Sequence, residues 1–278
     1  MIKVNILKKI YRFFNKLFFI FFAKIISFPI KLIGLRIIPP YDKLKKINLE
    51  YSNQTRRMVL NTKNINSFNN IYIDTSLNKS LLCDLGKKYK TNKSPYNDGH
   101  RSGFTGFYNL LFLNLKNKKI NFAEIGIENN NSTRMWRDYF LDANIYCFDS
   151  DKDRINNAKK DNLKDTSYYF MDVSLNESIT EGFKKANCKF DVIIDDSTHF
   201  FNHQINIIKS SGQFLKNNGI LIIEDIYRFR KEHSESNYYD SLKEIKNLFN
   251  EITFVETSHM NNFTSTWKNE KILLLVKK

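Results

Sequence analysis

Five short apolar runs, separated by segments of helix length, constrain the fold of this chain more than any other feature. The runs are rich in β-branched and aromatic residues, and four of them end directly in acidic residues. They span Ile120–Ile127, Asn144–Asp149, Ser167–Asp172, Phe190–Asp196 and Gly219–Ile226. Such alternation is typical of a doubly wound α/β fold, a parallel sheet covered by helices on both faces. Ligands of these sheets bind beyond the carboxyl ends of the strands, where the acids would lie.

The chain after the fifth run completes the predicted sheet. A helical stretch near Asp240–Phe249 is followed by two further strands, Ile252–Glu256 and Lys271–Val276, joined by a polar loop. If the last strand runs in reverse, the result is a mostly parallel, Rossmann-like sheet of seven strands. We therefore assign residues 81–278 to one α/β domain, and residues 41–80, which are polar and Asn-rich, to a connector with one short helix at most.

The N-terminal segment, residues 1–40, carries a large share of the positive charge. The formal net charge of the chain is +15. The first 41 residues contain no acid, and their basic residues are Lys3, Lys8, Lys9, Arg12, Lys16, Lys24, Lys31 and Arg36. A basic excess concentrated in one segment favours an anionic membrane surface as its partner and argues against a nucleic acid.

Residues 2–18 of that segment are amphipathic at helical periodicity. One side of the projected helix holds Asn5, Lys8, Lys9, Arg12, Asn15 and Lys16, and the other holds Ile2, Ile6, Leu7, Ile10, Phe13, Phe14, Leu17 and Phe18. This pattern predicts a helix in the bilayer interface. Lys24, Lys31 and Arg36 disfavour a transmembrane span, since each costs ~2.5–3.5 kcal/mol at the bilayer centre. The alternative is a helix packed on the protein's own core or on a partner in a homo-oligomer.

The cysteines favour a reducing compartment. Cys83, Cys147 and Cys188 are odd in number and widely spaced, without a C-x-x-C pair. With the basic segment, this predicts a cytoplasmic protein attached peripherally to the inner face of a membrane.

The end of the first predicted strand has the character of a nucleotide-binding turn. Glu124-Ile-Gly126 closes the strand, and a polar loop leads through Asn130 to Ser132 and a helix near Thr133–Phe140. Gly126 permits a close approach of backbone to ligand, and Asn130 or Asn131 can adopt the left-handed conformation usually left to glycine.

Acids at the ends of the next two strands fit the rest of a nucleotide. Asp149, or Asp151 after it, lies where an acid binds ribose hydroxyls in nucleotide-binding units, and Asp172 could accept from an adenine amino group. Each acid taken alone is better explained as a helix cap. Together, along one edge of the sheet, they favour a binding site.

The fourth and fifth predicted strands deliver two acidic pairs to a common cleft. We expect Asp196, Glu224 and Asp225 to hold Mg²⁺ or Mn²⁺, and Asp195 to turn toward the cofactor or the backbone. His199 follows Asp196 closely enough to act as general base on a hydroxyl that the metal polarises. A histidine that merely starts a helix is the alternative, and a zinc pair with His203 lacks the usual glutamate.

At these residues the chain resembles the metal-dependent sugar O-methyltransferases related to macrocin and mycinamicin O-methyltransferases, within the class I S-adenosylmethionine-dependent methyltransferases. The resemblance runs from about Leu82 to Ile226. The motifs that carry it are Lys88-Tyr-Lys-Thr-Asn-Lys93, His100, Phe107-Tyr108, Glu124-Ile-Gly126, Met135-Trp136-Arg-Asp-Tyr-Phe140, Asp195-Asp-Ser-Thr-His199 and Ile223-Glu-Asp225.

The resemblance implies an activity and adds site residues. It implies methyl transfer from S-adenosylmethionine to a sugar, nucleotide-sugar or lipid-linked glycosyl hydroxyl, with the metal ligands and base already named. It also implies that Thr91, Lys93 and His100 close over cofactor and substrate. Three alternatives stay open: a phosphoryl or amino acceptor, a nucleic-acid methyltransferase, and a membrane adaptor without catalysis.

Overall fold

The computed structural model describes Phe14 and residues 59–60, 68–228, 230–263 and 271–278. The chain divides into two compact units, residues 1–57 with 264–267, and residues 58–263 with 268–278. The predicted amphipathic segment lies outside the described residues, apart from Phe14. Within the described part of the chain, no helix has both the length and the apolar character needed to cross a bilayer.

The second unit is built on one mixed, mostly parallel sheet. Its strands are β1 (Val59–Leu60), β2 (Asn69–Asp74), β3 (Asn121–Ile125), β4 (Asn144–Asp149), β5 (Thr166–Phe170), β6 (Phe190–Asp195), β7 (Leu215–Ile223), β8 (Phe249–Ser258) and β9 (Lys271–Lys277). Their spatial order is β1-β2-β8-β9-β7-β6-β3-β4-β5. Strands β3 to β7 pair in parallel, and β9 runs antiparallel to both β7 and β8. The seven predicted strands are present as β3 to β9 and the reversed last strand is confirmed, but β1 and β2 extend the described sheet to nine strands.

Helices connect these strands. The described helices are α1 (Leu81–Lys88), α2 (Phe104–Leu111), α3 (Asn131–Tyr139), α4 (Lys152–Lys159), α5 (Asn176–Ala186), α6 (Phe201–Ser211) and α7 (Glu235–Leu242), with 3₁₀ turns at Lys231–His233 and Lys246–Leu248. Successive strand residues divide between two cores: Ile193 of β6 belongs to one, and Val192 and Ile194 to the other. The sheet is thus covered on both faces, as the doubly wound class requires.

Two sequence-based assignments differ from the structure. Asn69–Asp74, placed in the connector, is a strand that pairs in parallel with β8. The helix expected over Asp240–Phe249 ends at Leu242, and Phe249 instead begins β8 as a buried core residue. In both cases, pairing with distant strands overrides the local pattern.

Candidate functional site

The turn between β3 and α3 is shaped by backbone that approaches a neighbouring strand very closely. Gly126 has φ +103°, and its N–H donates to the Phe148 carbonyl over 2.8 Å. A Cβ at this position would lie 2.2 Å from the carbonyl oxygen of Asp196. Asn130, just before α3, is left-handed with φ 61°. Asn130 thus adopts the left-handed conformation expected of it, and Gly126 leaves no room for a side chain beside the Asp196 carbonyl.

Asp149 ends β4 beside this turn. Its Oδ2 accepts from the Ile127 N–H at 2.9 Å, and its Oδ1 accepts from the Asp151 N–H at 2.8 Å. These bonds fix the carboxylate, and each oxygen keeps a further lone pair for a ligand hydroxyl. Asp151 itself caps α4, accepting from Asp153 N–H and Arg154 N–H. The helix-cap interpretation thus describes Asp151, whereas Asp149 faces the cleft.

A polar cleft of about 600 Å³ opens at this edge of the sheet. Of the residues predicted to bind cofactor, Thr91, Gly126, Ser132 and Asp149 line it. Other lining residues come from the loop before α2, from the end of β5 and from the loop after β6, and include Asn97, His100, Met171, Val173, Asp196 and His199. The volume lies in the range of sites for small molecules and cofactors.

Three predicted metal or base residues converge, of which Asp196 and His199 line the cleft. Ligand atoms of Asp196, His199 and Asp225 all lie within 4.8 Å of one another. The His199 Nε2 is 3.8 Å from the Asp196 Oδ1 and 3.6 Å from the Asp225 Oδ2. Both His199 (φ 58°) and Asp225 (φ 55°) are left-handed, an uncommon conformation that clusters at functional sites.

Lys93 occupies the buried side of the same cluster. Its ammonium donates to the Asp196 Oδ2 and, over 2.5 Å, to the Glu224 Oε2, and it lies 3.9 Å from the Glu124 Oε1. The Tyr108 hydroxyl donates to the Glu224 Oε1 at 2.8 Å. Glu224 thus faces a lysine and a tyrosine, while Asp196 and Asp225 face the histidine.

Burial and mutual charge perturb the pKa values of this cluster. Burial by itself lowers the pKa of Lys93, but Asp196, Glu224 and Glu124 outweigh it and raise that pKa above its ordinary value. Burial also raises the pKa of Glu224 well above its ordinary value, although Lys93 opposes the shift. Several carboxylates face one ammonium in a dry environment, so the cluster holds its protons tightly.

The structure does not bring the other predicted cofactor residues to the cleft wall. Glu124 is buried and accepts from Ser132 Oγ, Thr133 Oγ1 and the Trp136 indole, which ties α3 to β3. The Asn130 amide donates to Asp161 at 2.7 Å and lines a separate, smaller cavity.

Asp172, Asp195 and Lys93 are placed in the same way, away from the cleft wall. Asp172 accepts from Ser174 within its own turn, and Asp195 accepts from the Ser197 N–H and hydroxyl. Burial raises the pKa of Asp195 to about 6. Lys93 lies on the buried side of the acidic cluster. Hydrogen bonds within the protein therefore engage Asp172, Lys93 and the Oδ1 of Asp195, whereas the buried Oδ2 of Asp195 has no hydrogen-bond partner among the described residues.

The zinc pair of His199 and His203 finds no support in the geometry. His199 precedes α6 and is not helical, whereas His203 lies within the helix, and its Nδ1 contacts the Thr198 Oγ1 at 2.8 Å. The two rings therefore do not share a helical face.

Sequence reasoning missed the partnership of Lys93 and Tyr108 with Glu224. Both residues belong to motifs that carry the resemblance, so the sequence did single them out. Their partners lie 131 and 116 residues away along the chain, and no local pattern links them.

Comparison with known proteins yields one curated relative and a set of similar folds. No protein-family model matches the chain. An 8-demethyl-8-(2-methoxy-α-L-rhamnosyl)-tetracenomycin-C 3′-O-methyltransferase from Streptomyces olivaceus is 26% identical over 137 residues. The match covers 45% of this chain and 32% of that protein, so it spans about a third of the relative.

The solved structures that align well include the MycE methyltransferase of the mycinamycin biosynthetic pathway. In a complex with Mg and SAH it superimposes with a TM-score of 0.53 at 17% identity, covering 72% of this chain and 55% of that one. A complex with Mg, SAH and mycinamycin VI aligns with the same TM-score, identity and coverage. At this identity the likeness establishes the fold. The chain has the fold of the class I S-adenosylmethionine-dependent methyltransferases, and part of its sequence is similar to a sugar O-methyltransferase.

Proposed function

We propose that this chain transfers a methyl group from S-adenosylmethionine to a hydroxyl of a sugar or of a nucleotide-linked or lipid-linked glycosyl acceptor. The observation that carries the proposal is the convergence of Asp196, His199 and Asp225, two of which, Asp196 and His199, line the cleft. The glycine turn and Asp149 form another part of that cleft. A nucleotide-like cofactor and an acidic site with a base therefore share one space.

The cofactor fits the cleft on structural grounds. The Gly126 turn presents backbone without a side chain, and Asp149 presents a fixed carboxylate that suits two ribose hydroxyls. We assign Gly126, Ser132, Asp149 and Thr91 to cofactor binding on this basis.

The donor atoms also fit a hard divalent cation. Carboxylate oxygens of Asp196 and Asp225 suit Mg²⁺ or Mn²⁺, and Glu224 is the third acid of the set predicted from the sequence. When bound, such a cation supplies Lewis acidity that makes an acceptor hydroxyl more acidic. We favour Asp196 and Asp225 as its holders, since both oxygens of Glu224 are engaged by Lys93 and Tyr108, whereas Lys93 engages only the Oδ2 of Asp196.

His199 is assigned the role of general base. As the acceptor oxygen attacks the methyl carbon, the carbon–sulfur bond breaks, S-adenosylhomocysteine leaves, and the hydroxyl proton passes to the His199 Nε2. Carboxylates at 3.6 and 3.8 Å from that nitrogen stabilise the imidazolium that forms. The rest of catalysis is positioning of acceptor and sulfonium in line.

Turnover with S-adenosylmethionine and a panel of nucleotide sugars tests this assignment. Loss of the base should lower the rate by a factor on the order of 10²–10⁴ in His199→Ala. His203→Ala is the matched control, because His203 contacts Thr198 and not the acids. EDTA should abolish turnover, and Mg²⁺ or Mn²⁺ should restore it. Full activity in EDTA, or normal turnover by His199→Ala, would contradict the proposed mechanism.

We further propose that residues 1–38 bind an anionic membrane surface, which would bring a lipid-linked acceptor to the enzyme. The proposal rests on the amphipathic pattern and on the basic residues of that segment. It places the protein at the cytoplasmic face of a membrane as a peripheral enzyme.

A further inference from the structure

The buried side of the acidic cluster already contains a cation. The Lys93 side chain is 1% exposed, and its ammonium lies within hydrogen-bond distance of both Asp196 and Glu224. Its backbone is held at the same time, since the Thr105 N–H donates to the Lys93 carbonyl over 3.1 Å at the start of α2. Because Thr105 belongs to a helix, the ammonium is anchored to a fixed element and not to a free loop.

Lys93 divides the carboxylate oxygens between two sides of the cluster. On the buried side, Glu224 shares its charge between the Lys93 ammonium and the Tyr108 hydroxyl. On the open side, the Asp196 Oδ1 and the Asp225 Oδ2 face the His199 Nε2. Asp196 belongs to both sides, because its Oδ2 accepts from Lys93.

We propose that Lys93 is a resident cation that competes with the divalent ion for Asp196 and Glu224, and so sets the affinity of the metal site. The inference rests on the proposed function, since it concerns the same acids. Lys93 keeps Glu224 from coordinating the divalent ion. The ion is then coordinated by the carboxylates on the open side, Asp196 and Asp225. It is a positioning residue and does not touch the reacting atoms.

Electrostatics gives the direction of the effect. Like charges a few ångströms apart in a poorly solvated site repel by several kcal/mol at an effective dielectric constant of about 20. Removing the ammonium removes this repulsion and releases a third carboxylate toward the divalent ion. We therefore expect a tighter metal site without Lys93, whereas loss of an ordinary supporting residue weakens a site.

The test is Mn²⁺ binding to the full chain, with free Mn²⁺ followed by electron paramagnetic resonance. Lys93→Met should bind Mn²⁺ at least about tenfold more tightly than the wild type. Adding Glu224→Gln to Lys93→Met should remove the gain, since Glu224 is the acid that the lysine releases. In the wild-type background, Glu224→Gln should weaken Mn²⁺ binding much less than Asp225→Asn.

The outcomes separate this inference from the proposed function. If Lys93→Met binds Mn²⁺ no more tightly than the wild type, or if the gain in affinity persists when Glu224→Gln is added, the proposed competition is overturned. Mn²⁺ binding by the wild type would in that case still support the metal site. If Lys93→Met binds Mn²⁺ and the wild type does not, the result supports the competition and contradicts the role of a metal in the proposed function. If Lys93→Met does not fold, the two single variants still test the inference. Equal losses of Mn²⁺ affinity in Glu224→Gln and Asp225→Asn would overturn it.

Discussion

At the residue scale, we expect cofactor recognition to depend most on Asp149. We expect Asp149→Ala to weaken S-adenosylmethionine binding by about thirtyfold or more, because hydrogen bonds to a charged acceptor contribute roughly 1.5–3 kcal/mol each. Calorimetry with S-adenosylmethionine measures the loss. Asp153→Ala, an exposed carboxylate on α4, is the control. Equal affinities of Asp149→Ala and wild type would refute the assignment.

His233 gives the molecule a predictable response to acid. Burial lowers its pKa to about 4, and the ring is 4% exposed beside the Tyr238 hydroxyl. Below about pH 6.5 the unfolded chain binds a proton at His233 that the folded chain does not. Stability is therefore lost as the pH falls from about 6.5 to about 4, on the order of 2 kcal/mol for this residue.

Urea unfolding at pH 7.5 and pH 4.5 tests the role of His233. The wild type should lose more unfolding free energy between the two pH values than His233→Asn, which has no proton to bind. Equal losses in the two proteins would show that other groups account for the acid sensitivity.

The site could be read from the sequence where its residues follow the ends of strands or lie close together in the chain. Gly126, Asp149 and the Asp196–His199 run follow from strand ends and short spacing. The placement of Lys93 and Tyr108 did not follow, since their bonds to Glu224 join distant parts of the chain. Asp172 shows the opposite error: a carboxylate at a strand end bonds within its own turn.

At the element scale, the β3–α3 turn tolerates no side chain at Gly126. We expect Gly126→Ala to destabilise the fold by about 2–4 kcal/mol, because the backbone is left-handed and a Cβ would overlap the Asp196 carbonyl. Thermal unfolding measures the change. Gly99→Ala is the matched control, since a Cβ there meets no atom within 4 Å. Similar melting temperatures of the two variants would contradict the steric argument.

The strands of the central sheet were predictable because their sequences suit burial on both faces. Strand β6, for example, contains four apolar residues, Phe190 and Val192 to Ile194, and is buried at five of its six residues. Strand β2 was missed because it is Asn-rich and only partly buried, so its sequence lacks both the apolar run and clear alternation. The predicted helix before β8 was too long because Phe249 suits either a helix or a buried strand.

At the scale of the whole molecule, membrane binding is predicted to reside in residues 1–38. In flotation with anionic liposomes, full-length protein should rise with the vesicles, and protein lacking residues 1–38 should not. Full-length protein with Lys8, Lys9, Arg12 and Lys16 changed to Glu should also stay unbound, and neutral vesicles serve as the control. Absence of full-length protein from the anionic vesicles would favour a segment packed on the protein itself.

The pairing of β2 with β8 gives the molecule a particular order of assembly. Asn69 lies opposite Thr253, so β2 can pair with its parallel partner only after the chain up to Ser258 has left the ribosome. Until then β2 has an open edge toward other chains, and unpaired edges are sites of misassociation. Slow, non-local closure of the sheet follows. A nascent chain stalled before residue 249 would therefore lack the partner of β2 and also β9, the antiparallel partner of β7.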